Sequence, residues 1–131
     1  MTKLDARLML TKAFGMRREL RCMDFSVTPG AVIHTAYYAA FHAARAVLHD
    51  AHGTVSTKHR AVHTAFEALA KSGSDDMRCL AEDLRAAYEA RLLQDYTGEV
   101  PTVDMAENAA AVAEAFLAFA ARRLGLPTDT P

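Results

Sequence analysis

From Thr35 to Leu48 the chain reads TAYYAAFHAARAVL, an alanine-rich stretch that also carries two tyrosines, a histidine and an arginine. His34, Tyr38, His42, Arg45 and His49 recur at steps of 4, 4, 3 and 4, which lines them up along one stripe of a helix. Imidazole and guanidinium donate hydrogen bonds, and a phenol stacks or donates, so such a stripe suits a phosphate or a base. The same types also suit a hydrogen-bonded core edge, above all at Tyr37, Tyr38 and His42.

Two further groups invite the same question. His59 and His63 are four apart, a spacing that can hold zinc on a helix. The metalloprotease pattern would need a glutamate after the first histidine; Arg60 stands there, and with Lys58 it would repel a cation. His59 reads better as part of a basic helix start, KHR, solvated or facing an anion. The second group is YEARLLQDYTGE. Arg91 and Asp95 stand four apart and can pair on one face, with Tyr88 and Tyr96 flanking them. An arginine held in this way can present its fork to a phosphate; alone, the pair is a surface ion pair worth less than about 1 kcal/mol. No phosphate-cradling glycine loop, nucleophile elbow or metal-spaced carboxylate cluster is present, so no cofactor or metal is expected.

Five helices must position these residues. Residues 3–23 carry Leu8, Leu10, Phe14 and Leu20 at helical spacing, with Arg17, Arg18 and Arg21 on the polar face. A connector, DFSVTPG, leads through a capping Thr28 and Pro29 into a long helix over 29–51, whose apolar face runs through Ala31, Ala36, Tyr37, Ala40, Phe41, Ala44, Val47 and Leu48. Gly53 stops it, and Ser56 or Thr57 caps a third helix over 58–71 with Val62, Phe66 and Leu69 in step. After Ser72-Gly73-Ser74, a fourth helix runs from Asp75 to about 95 on Met77, Leu80, Leu84, Tyr88 and Leu92. Thr97-Gly98 ends it. Thr102 opens the fifth, to about 124, with Phe116, Leu117 and Ala120 in its stripe. The fold expected is all-α, an antiparallel up-and-down bundle forming one domain over 1–125, with a frayed tail over 126–131.

Bulk composition agrees. The chain has 131 residues, 51% hydrophobic and 24% charged, with a net charge of −1, which speaks against a duplex-wrapping basic surface. The alanine-rich faces allow close helix approach but bury little apolar area per residue, and an apolar face left exposed would favour a dimer. Cys22 and Cys79 have no metal spacing and read as free thiols of a cytoplasmic protein. No clean apolar run long enough for a membrane span is present.

Three of these stretches, AYYAAFHAARAVL, KHRAVHTAF and YEARLLQDY, together resemble the HEPN domain (higher eukaryote and prokaryote nucleotide-binding), in particular its small stand-alone bacterial and archaeal members. The resemblance implies a helical bundle that dimerises, with the ends of the fourth helices lining a cleft. In members that cleave RNA, an arginine polarises the scissile phosphate. A histidine a few residues on serves as base or acid for attack by the ribose 2′-hydroxyl, without metal. Many such toxins are paired with a minimal nucleotidyltransferase. By this resemblance Arg91 takes the arginine's place, while Asp95 and Tyr96 stand where the histidine would be, and His42 is the candidate substitute base. Tyr38, Arg45, Lys58 and His59 are the binding candidates. Three readings stay open: an RNA- or nucleotide-binding half of a toxin–antitoxin-like pair, a metal-independent endoribonuclease toxin, and a non-catalytic helical dimer.

Overall fold

The computed structural model describes residues 2–127, with side chains from Asp5 onward. It contains α1 (Thr2–Arg21), α2 (Pro29–His52), α3 (His59–Lys71), α4 (Asp75–Thr97) and α5 (Val103–Leu124), joined by short links, and the described residues form no strand. The helix order and bounds follow the sequence expectation to within two residues at most ends.

The ends are made by local chemistry. Ser74 Oγ accepts the N–H of Met77 (3.3 Å) and Thr102 Oγ1 accepts that of Met105 (3.2 Å), each satisfying an otherwise orphaned donor of a first turn. Gly53 closes α2 in the left-handed conformation (φ 79°), which a side chain would strain, and its N–H bonds the carbonyl of His49. Two expected caps behave differently. Thr28 starts α2, but its hydroxyl donates to the Asp24 carbonyl instead of accepting. Lys58, not Ser56 or Thr57, occupies the N-cap of α3, and Ser56 Oγ accepts the Lys58 N–H from outside the helix.

The packing is centred on α2, which contacts every other helix and is buried over most of its circumference. Its alanines let α1 and α5 approach closely on one side. Ala36, Ala39, Ala43 and Ala46 are fully buried there. The α3–α4 pair covers the other side. Phe66 and Phe116, both fully buried, meet at 5.3 Å between ring centres and tie α3 to α5.

Three residues depart from the expected pattern. Leu8 and Ala31, placed on apolar faces by spacing, are exposed, because the inner stripe of α1 runs through Ala6, Leu10, Ala13 and Phe14 and that of α2 begins at Val32. Arg17, expected on a polar face, is buried. Its guanidinium lies over the Phe14 ring at 4.6 Å and reaches Glu114 of α5 at 3.5 Å, so a long aliphatic stem fills core space and the charge is paired. At the C-terminus Leu126 is half-buried against the core and its N–H bonds the Ala121 carbonyl; residues 128–131 of the tail expected to fray lie outside the described residues.

Candidate functional site

The polar groups converge where α2, α3 and the C-terminal half of α4 meet. Tyr37 is the hub. Its ring is 1% exposed, packed by Phe41 (5.9 Å between centres), His59 (5.6 Å) and Tyr88 (5.6 Å). Its hydroxyl lies 2.8 Å from His59 Nδ1 and 2.8 Å from His63 Nε2. The i, i+4 spacing of the two histidines therefore serves to grip one phenol from two turns of α3.

That geometry couples the proton positions. A phenol has one proton to donate, so one imidazole accepts from Tyr37 and the other donates its N–H to the phenol oxygen. When His63 accepts, His59 donates through Nδ1, and its Nε2 is left as a free lone pair. When His59 accepts, Nε2 carries the proton instead. His59 Nε2 faces the Tyr38 hydroxyl at 3.5 Å. Passing between the two neutral states shifts protons along His59–Tyr37–His63 while His59 Nε2 gains a proton and His63 Nδ1 loses one, so His59 acts as a base in one state and an acid in the other.

All three groups are held uncharged at neutral pH. Burial, then the neighbouring Tyr88, pushes the Tyr37 phenol well up. Burial pushes His63 down to about 4, helped by Arg85 and His59 and opposed by Glu67. Burial, then the Arg91 charge, lowers His59 as well.

Arg91 completes the cluster from α4. Its Cζ lies over the Tyr37 ring (5.5 Å) and the Tyr38 ring (5.2 Å), a double cation–π contact that seats the guanidinium on the two phenols. Nε is buried with no hydrogen-bond partner, and among the described residues no carboxylate pairs with the group. The pairing with Asp95 expected from spacing does not form: the guanidinium turns inward onto the aromatic rings of α2, while Asp95 is exposed. Tyr96 is 84% exposed and makes no ring contact or hydrogen bond with the cluster among the described residues.

The remaining candidates divide. Tyr38 belongs to the cluster and also touches His34 (4.9 Å) and His42 (6.2 Å) with its ring. His42 is buried on the side of α2 that faces α1. Burial drives it down to about 4, with Lys12, Arg45 and His59 pushing the same way. Arg45 is anchored by its Nε to the Ser56 carbonyl (3.2 Å), and Lys58 is exposed at the start of α3. His49, two turns on from His42 on the same face, approaches Asp5 of α1 (3.7 Å). Cys22 and Cys79 are free and exposed. Sequence reasoning placed Tyr37 and His63 among core or metal options and did not join them to Arg91, and it set Tyr88 beside Arg91 without linking either to the histidines. The available signal was that Tyr37/Phe41, His59/His63 and Tyr88/Arg91 each form a short stripe of matching chemistry.

The result is a helical domain whose buried aromatic and histidine network presents one pre-oriented arginine. The family model described as HEPN domain matches residues 29–124, which run from the first residue of α2 to the last of α5. The chain belongs to the HEPN domain family. No curated protein and no solved structure matches it. No helix among the described residues is long and apolar enough to cross a membrane.

Proposed function

We propose that this chain is the RNA- or nucleotide-binding half of a toxin–antitoxin-like pair, a cytoplasmic homodimer working beside a minimal nucleotidyltransferase, with Arg91 receiving a phosphate. The observation that carries this is the guanidinium itself, fixed over Tyr37 and Tyr38 with no carboxylate to neutralise it. A guanidinium fork matches phosphate geometry, and one already seated on two rings loses little entropy on binding. The dimer reading is supported by exposed apolar side chains beyond it: Leu93 (54%), Tyr96 (84%) and Val100 (79%) lie where α4 ends. Asp95 and Tyr96, turned outward there, are available to a second copy. The nucleotidyltransferase partner rests on family membership alone.

A labelled single-stranded RNA should bind more weakly as salt rises, since phosphate contacts release counterions. Arg91→Ala should weaken binding about 10- to 100-fold, the worth of one or two charge-assisted hydrogen bonds. Equal affinity of the variant and the wild type would overturn the reading.

One observation favours a second reading, a metal-independent endoribonuclease. His59 is uncharged beside Arg91, and with Nδ1–H bonded to Tyr37 its Nε2 can take a proton from a ribose 2′-hydroxyl. His59 is better placed for this than His42, which faces α1. Incubating an RNA pool in chelator with wild type, Arg91→Ala and His59→Ala separates the two readings. Cleavage lost in both variants makes the protein a nuclease, whereas intact RNA with retained binding leaves the binding module.

A further inference from the structure

The groove between α1 and α2 carries a second group of donors that shares only Tyr38 with the Arg91 cluster. The two helices run antiparallel in register, so that Asp5 meets His49, Lys12 meets His42, and Glu19 lies across from Thr35. Lys12, His34, Thr35, Tyr38 and His42 line a groove of about 400 Å³ with Glu19 at one end.

His42 is the informative residue. It is 8% exposed, too buried for an ordinary surface histidine, yet it lines an open groove. Arg45, itself tied to the Ser56 carbonyl, donates through Nη1 to His42 Nδ1 (3.4 Å). An arginine cannot accept, so His42 Nδ1 is the acceptor and the ring proton sits on Nε2. That Nε2–H makes no hydrogen bond among the described residues and, unlike Arg91 Nε, is not a buried orphan, so it is open to solvent. On a ring that lines the groove, this N–H is free to donate to an acceptor that enters it, in exchange for water. Lys12 adds a full positive charge at the same level. The opposing carboxylate of Glu19 is two turns away along α1, about 10 Å by helix rise, so the Lys12 end is the electropositive one.

We infer that the Lys12–His42 end of this groove is a phosphate subsite, which holds the phosphodiester next to the one at Arg91 on a single RNA strand. The inference rests on the RNA-binding reading for its ligand. Tyr38 joins the two seats: its ring centre is 5.2 Å from the Arg91 Cζ and 6.2 Å from the His42 ring centre, so the strand needs to pass only one aromatic ring. A base beside the subsite would meet the tilted His34–Tyr38 pair. The family match begins at Pro29, so Lys12 comes from a helix that precedes the matched region.

The test follows histidine ring signals by NMR in the full chain, with ApApA, ApA and inorganic phosphate as probes. ApApA should move the His42 ring signals. Lys12→Ala, an exposed substitution that leaves the core untouched, should weaken ApApA about tenfold and lower its salt slope by about 0.7, the value of one single-strand phosphate. It should leave ApA, which has one phosphate, unchanged. Silent His42 signals at saturating ApApA, or wild-type affinity in Lys12→Ala, would overturn the subsite. So would a His42 response to inorganic phosphate alone, which makes it a free-anion site. The Arg91→Ala variant separates the two ideas. Unchanged ApApA affinity with a responding His42 sinks the Arg91 reading and keeps the groove. Weakened affinity with a silent His42 does the reverse, and no binding of ApApA by the wild type sinks both.

Discussion

Acidification from pH 7 to pH 5 is expected to destabilise this domain steeply, through two histidines that the fold keeps neutral. His42 and His63 are both lowered to about 4 from the ordinary 6.5. Between those values the unfolded chain binds protons that the folded one refuses. Stability therefore rises with pH across that window and is lost as pH falls from about 6.5 towards 4. Each group contributes a slope of at most about 1.4 kcal/mol per pH unit, against a total stability of about 5–15 kcal/mol. The surroundings reinforce the sign. His42 faces Lys12 of α1, Arg45 of α2 and His59 of α3, all cationic or able to become so. His63 faces Arg85 of α4 and His59, with Glu67 as the one opposing charge. Urea midpoints at pH 7.5, 6 and 5 should fall progressively, and His63→Gln should flatten part of the slope. Midpoints that stay level over that range would mean that both rings accept protons in the folded state.

Removing one oxygen should cost almost as much. Tyr37→Phe keeps the buried ring and its contacts with Phe41, His59 and Tyr88, but deletes the hydroxyl at 2.8 Å from each of two histidines. One unpartnered buried polar group costs about 1–3 kcal/mol. His63 is buried and His59 half-buried, where water recovers part of the loss, so about 2–4 kcal/mol is expected for the pair. Because Phe fills the same space, a cavity cannot account for such a loss. The variant should also uncouple the histidines, so that His59 titrates independently of His63 when followed by NMR. A denaturation midpoint matching the wild type would show that the phenol is not what holds the two rings.

The contrast between fold and site shows what a linear pattern can convey. Helices were legible because each is written within one window: the 3.6-residue stripes, Ser74 and Thr102 as caps, and glycines where the chain turns left-handed at Gly53 and Gly98. The site was harder because its contacts join different helices. Tyr37 and Tyr38 are adjacent, about 100° apart around α2, and spacing alone favoured the stripe through Tyr38. Which stripe meets α3 depends on how α2 is rotated in the bundle, and no single window records that. Arg91 shows the same limit. Its neighbour at i+4 offered a carboxylate, but the rings of α2, far away in sequence, offered a desolvated cation–π seat. Arg17 likewise found Phe14 and Glu114. The resemblance to the HEPN domain puts Arg91 forward as a candidate whatever its local partner.

The central claim is that Arg91 stands ready for a phosphate, and the most direct measurement is NMR of its side chain. The Arg91 Nε–H lies buried against two tyrosine rings with no acceptor, so its signal should be shifted by ring currents in the free protein. Addition of a short single-stranded RNA should move that signal at the same RNA concentration that saturates binding, and raising salt should reverse both together. An Arg91 signal that stays fixed while RNA binds would place the phosphate elsewhere and leave the arginine as a brace for the tyrosines.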